Sequence, residues 1–227
     1  MNEILENIKG IEDQIEGALW SLEVHDEIEK ALEAYQDAES KLTALVLPLE
    51  HPAYAEQQRV LAYCLMRESN LLRQMDKPEE AFALSERELT AARLSDDEIT
   101  LARSLMSNGA NHIVARDIDK GLKLLEEARA LFENGSSTDH QQGLGWYWIL
   151  QADLVNAGIV EKTPAEVIEF ANRALEILRP IENWPGVARA YAARAKAHES
   201  TGNQDAAAKD RKEQQLYERK VEAGEKS

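Results

Sequence analysis

The chain is poor in several things. Its 227 residues include one cysteine, Cys64, so no intrachain disulfide can form and nothing demands an oxidising compartment. Six prolines and eleven glycines, with few β-branched runs, leave little material for a turn-rich or sheet-based fold. Apolar residues make up 44 % but never collect into a stretch long enough to cross a bilayer. The start, Met1 to Lys9, lacks the basic segment and apolar run of a secretory leader, so a cytoplasmic protein is expected. Basic residues are outnumbered 26 to 42, a formal charge of −16. A field of that sign repels phosphate backbones and anionic headgroups, which excludes nucleic acid and membranes as expected partners.

Catalytic and metal-binding patterns are missing as well. His25, His51, His112, His140 and His198 are scattered, without His-Glu-x-x-His or any Cys pair at ligand spacing, and no nucleophile elbow or phosphate loop is present. Cys64 lies in the apolar stretch Leu61 to Met66, where a thiol behaves as a small hydrophobe. No cofactor, metal or catalytic residue is expected. An all-α enzyme using Cys64 or the histidines is the least favoured alternative.

What the chain has is helix-forming residues, Ala, Leu, Glu, Gln and Arg, and a phrase that returns about every forty residues. The phrase is a polar turn followed by an amphipathic start: Asp26-Glu-Ile-Glu-Lys-Ala31, Asp76-Lys-Pro-Glu-Glu-Ala81, Arg116-Asp-Ile-Asp-Lys-Gly121, Lys162-Thr-Pro-Ala-Glu-Val167 and Gly202-Asn-Gln-Asp-Ala-Ala207. Ile4, Ile8, Ile11, Ile15, Ala18 and Leu22 advance by threes and fours along one helical stripe, and Ile28 to Leu45 forms its partner. Further pairs are predicted at about 54–75 with 78–94, 97–115 with 118–132, 144–159 with 164–178, and 187–200 with 204–221. The segment Asn134 to Gly143 reads as the longest loop. The expectation is an all-α chain of about five helical hairpins forming one repeat domain over 1–222, with 223–227 a frayed tail.

Small residues keep a fixed phase within the pairs: Gly109, Gly121 and Ala128; Ala195 and Ala207; Ala31 and Ala38; Ala152, Ala171 and Ala174. Such residues let helix backbones cross closely. In this the chain resembles tetratricopeptide repeats, which implies an αα-hairpin superhelix whose first helices line a concave surface. The second pair departs from the pattern, with Ser69, Ser85 and Glu88 where it prefers Gly, an aromatic and Ala.

On the resemblance, the function is a non-catalytic scaffold that binds a peptide or protein tail on the concave face. The first helices of pairs two to five carry Arg59, Arg67, Arg73, Arg103, Arg189, Arg194 and Lys196 against Glu68, Asp153 and Glu199, a basic surplus within an acidic protein. The first helix of all is acidic, so the basic groove is expected to begin at the second pair. Arg67, Asn70, Arg73 and Gln74 follow three- and four-residue steps and point one way; Asn70 and Arg73 match concave positions that tetratricopeptide domains use to grip peptides. Arg103, Asn111, Asn156, Arg189 and Lys196 extend the set, and Trp146 is a candidate aromatic anchor. Guanidinium groups clamp carboxylates, so the expected ligand is an acidic segment or a C-terminal carboxylate. The alternatives are a peptide-sensing regulator and a self-assembling adaptor, the latter a homodimer through the stripe from Ile4 to Leu22.

Overall fold

Each recurring phrase holds a helix start, and all but Lys162–Val167 also hold the left-handed residue that closes the turn before it. The computed structural model describes residues 2–223; the expected frayed tail therefore lies, beyond Ala223, outside the described residues. In chain order the helices are α1 (Asn2–Ser21), α2 (Ile28–Ala44), α3 (Tyr54–Gln74), α4 (Pro78–Arg93), α5 (Glu98–Val114), α6 (Ile118–Glu133), α7 (Thr138–Asn156), α8 (Pro164–Leu178), α9 (Trp184–Ser200) and α10 (Gln204–Glu222), with a short 3₁₀ turn at Glu23–His25. Among the described residues every regular element is helical. The all-α expectation and its hairpin pairing hold.

The stops share one device. Asp26, Asp76, Arg116, Gly158 and Gly202 have φ between 58° and 76°, in the left-handed region. The following N–H reaches back to a carbonyl of the last helical turn, as in Lys77 to Leu72 (2.9 Å), Asp117 to His112 (2.9 Å) and Asn203 to His198 (2.9 Å). This is the backbone closure that ends a helix and reverses its direction. The starts are chemical caps. Asp97 accepts from the Thr100 N–H at 2.6 Å, Thr163 and Glu166 form a reciprocal capping box, and Pro78 and Pro164 occupy first-turn positions that need no donor.

Two boundaries differ from the sequence reading. The segment 134–143 is mostly not loop, because Ser137 caps α7 and the helix begins at Thr138. Gly143, taken as a loop glycine, is a packing glycine, since a Cβ there would stand 2.1 Å from the Phe132 ring. Trp184-Pro-Gly186, read as a separator, is the first turn of α9, capped by the Asn183 side chain accepting from the Gly186 N–H at 2.9 Å.

The chain divides into two compact units, Met1–Ala128 and Arg129–Ser227. In unit 1, α3 touches both α1 and α5, so the first helices lie side by side in one layer. Ile8, Ile11 and Ile15 are buried against Leu32, Tyr35 and Leu42 of α2 and Val60 and Leu71 of α3. The apolar stripe of α1, expected to be able to seat a second copy, is thus consumed within the unit. In unit 2, α7 and α9 are likewise adjacent, and Ala152, Val167, Ala193 and Ala197 pack together beneath Phe170.

Candidate binding face

The first-helix layer of unit 1 contains most of the residues singled out from sequence, but many of its cations are already bound. Arg59 bonds Glu12 of α1 and Glu56 of its own helix, each at 2.8 Å. Tyr63 donates to Glu16 at 2.7 Å. Arg67 is ion-paired with Glu23; burial works against its charge, yet the Glu23 bond and charge raise its pKa. Acids of α1 and of the turn after it are therefore bonding partners of α3. Arg67, expected to grip a ligand, instead ties α3 to the turn after α1.

Three of the predicted residues do come together. Arg73 donates through Nη1 to Asn111 Oδ1 at 3.0 Å and through Nη2 to Asn70 Oδ1. Asn111 in turn donates to the Ser69 hydroxyl at 3.3 Å. Burial lowers the Arg73 pKa, with Glu88 opposing that effect. Glu88 is itself held largely protonated, its pKa pushed up to about 8 by burial. The Arg73 side chain is half-buried and its bonding partners are neutral amides. Gln74 is exposed one residue further on, at the end of α3, while Arg103 on α5 is half-buried and already engaged.

The remaining candidates lie in unit 2. Asn156 donates to the Ala193 carbonyl at 2.9 Å, a bond between α7 and α9 and not a free amide. Arg189 is paired with Asp153 at 3.0 Å. Arg194 is fixed by Asp210 through two bonds of 2.6 and 2.9 Å. Lys196 is exposed and Trp146 half-buried. The basic surplus counted along the sequence is thus largely neutralised by pairing.

Sequence reasoning missed Trp20. It follows Glu16 by four residues, so it shares that residue's side of α1, and it is 63 % exposed. It also missed the α1 acids as partners. The signal was available, because Glu12 to Arg59 and Glu16 to Tyr63 are both 47 residues apart, a constant offset that sliding one first helix over the next would reveal.

Among the described residues no cluster of three or more His, Cys, Asp or Glu could hold a metal, and no described helix is long and apolar enough to cross a membrane. His112 is buried between Glu86 (3.1 Å) and Asp117 (3.3 Å), edge-on to Phe82. Burial raises the pKa of the Cys64 thiol, the opposite of what a nucleophile needs.

No family model matches the chain, and no curated protein matches it. Solved structures do. BtubC from P. vanneervenii superposes with a TM-score of 0.60 over 96 % of this chain and 91 % of its own, at 12 % identity. A putative kinesin light chain of Podosopora anserina, described as nearly identical TPR-like repeats, gives 0.58 over 95 % and 98 % at 15 % identity. The apo form of RapI gives 0.53 over 93 % and 66 % at 16 % identity. Identities this low speak for fold alone, and they agree with the paired helices, the small-residue phases and the shared turn closures: the chain has the tetratricopeptide-like helical repeat fold.

Proposed function

We propose that the chain is a protein-interaction scaffold without catalysis of its own, and that the first-helix layer of unit 1 receives an extended peptide through a carboxylate seated on Arg73. The supporting observation is the charge state of that corner. Arg59, Arg67, Arg189 and Arg194 are bound to carboxylates, whereas Arg73 is held by two amide oxygens. A partly desolvated guanidinium gains most from an incoming anion, and each charged hydrogen bond contributes about 1.5–3 kcal/mol. Trp20 supplies an exposed aromatic anchor on the same layer, and Gln74 an adjacent amide. The ligand class is an acidic segment or a C-terminal carboxylate, met in a cytoplasmic setting.

Calorimetry with peptides bearing either a free C-terminal carboxylate or an amidated end tests this. The free acid is expected to bind the wild type at least about tenfold more tightly than the amide, the equivalent of one such bond, and Arg73→Gln is expected to abolish the preference. Equal affinity for both peptide ends, or a preference that survives Arg73→Gln, removes the reading.

A further inference from the structure

Two carboxyl groups in unit 1 lie where a charge is hardest to keep. Glu68 on α3 is 2 % exposed and Glu88 on α4 is 0 % exposed. An ionised carboxylate at such depth needs a dedicated cation, and without one it takes up a proton instead. The cation whose charge acts on Glu68 is Arg87 of α4, but Arg87 is ion-paired with Glu39 of α2. That leaves Glu68 facing Glu39, a like charge with which it shares a hydrogen bond, and Cys64, whose Sγ lies 3.7 Å from Glu68 Oε1. Glu88 faces Arg73 from α3, and Arg73 bonds to Asn70 and Asn111. From α5 come two hydroxyls, Ser104 and Ser107, the latter donating to Glu88 Oε2 at 3.1 Å. Glu88 Oε1 is buried without a partner.

We infer that Glu68 and Glu88 are proton locks: as neutral acids they allow α3 and α4 to close on α2 and α5, and their deprotonation in mildly alkaline solution opens these two seams of unit 1. Burial pushes both groups up to about 8; for Glu68 the charge of Glu39 adds to that effect, and for Glu88 Arg73 and the two hydroxyls oppose it. The direction follows from linkage. The closed form holds the proton more tightly than the open one, so the stabilisation is complete below the ordinary glutamate range and is lost as pH rises through about 8. Between those limits each carboxyl shifts its opening equilibrium about tenfold per pH unit.

The chain carries its own reporter. Cys64 is its single cysteine, and its thiol is buried against Glu68 and donates to the Tyr35 carbonyl at 3.2 Å. Native-state labelling of Cys64, with each rate divided by that of the urea-unfolded chain at the same pH, isolates the opening step. The normalised rate is expected to climb about tenfold per unit between pH 5.5 and 7.5 and to level off above pH 8. Glu68→Gln, which keeps the shape and removes the titration, should flatten that slope. Amide hydrogen exchange on the wild type, corrected for intrinsic rates, should show the same climb in α4 and α5 but not in α8. A flat normalised rate in the wild type, a slope retained in Glu68→Gln, or an equal climb in α8 overturns the inference.

Discussion

Between α3 and α5, unit 1 buries Glu68, Ser69, Ser85, Glu88, Ser104, Asn108 and Asn111, whereas unit 2 fills its interior with Ala171, Ala174, Ala190, Ala193, Ala195 and Ala197. The helices, turns and pairing are of one kind; the interiors are not. Alanine loses no rotamer freedom on burial and lets backbones approach closely, so an alanine-lined interface is insensitive to conditions. A polar interior must satisfy the groups it desolvates, and unit 1 does so for most of them with hydroxyls, amides and neutral acids, leaving Glu88 Oε1 among the exceptions. The single buried acid among the described residues of unit 2, Asp210, instead has a full counterion in Arg194. Two stacks of similar hairpins thus handle buried carboxyl groups in opposite ways, by neutralisation in one and by pairing in the other.

Removing the paired acid should do the most damage. Asp210→Ala strands Arg194 in a largely buried position and is expected to lower the stability of unit 2 by about 3–5 kcal/mol, read from urea unfolding followed at Trp184. Glu88→Gln in unit 1, which keeps the folded state neutral and spares the proton uptake that folding demands of glutamate, should not lower stability near pH 6. If the two substitutions cost the same, the contrast between pairing and neutralisation is wrong.

The next effect concerns close approach. Ala207 in unit 2 and Gly121 in unit 1 occupy the same place in the repeated phrase, yet a Cβ at Gly121 would lie 2.6 Å from the Gly109 carbonyl oxygen and 2.5 Å from Ile113 Cγ1. Gly121→Ala is therefore expected to destabilise unit 1 by about 1–3 kcal/mol despite its better helix propensity, measured as a fall in the urea midpoint with Trp20 as the reporter. A neutral or stabilising result would mean that the crossing of α5 and α6 relaxes freely.

The smallest effect is at a helix start. Thr163→Ala removes the hydroxyl half of the box that opens α8 and should cost about 1 kcal/mol. It should also release Glu166, whose carboxyl the Thr163 backbone N–H, Lys162 and the Thr163 hydroxyl hold down to about 2. NMR titration of Glu166 in the variant checks this, and an unmoved titration would show that the backbone N–H and Lys162 suffice.

The stripe of α1, the positions of Pro78 and Pro164, and the turn phrases were legible because helical periodicity and backbone chemistry are local properties. Ser69, Ser85 and Glu88 were visible only as departures from a repeat pattern. Their phases matched buried positions, but their polarity argued for solvent, and nothing local tells a buried neutral glutamate from an exposed charged one. Arg67 misled for a related reason. Its charge was plain in the sequence, but its counterion Glu23 sits 44 residues away, so a basic surplus counted along helices ignored acids that fold back onto them. Asn70 and Arg73 stood out by their shared helical phase, and the fold adds Asn111 to them, but what these three bind first is one another. Gly143 was misplaced because glycine signals both turns and tight packing, and only the Phe132 ring beside it decides between them.

The left-handed residue that closes each hairpin is Asp at two places, Arg at one and Gly at two, and the bonds that complete the closure run between main-chain groups. Side-chain identity is therefore nearly free at these points, provided the backbone angle is tolerated. Genetic exchange that cut two copies of the gene at such codons would rejoin them with every helix whole, so hairpins could be gained, lost or traded one at a time.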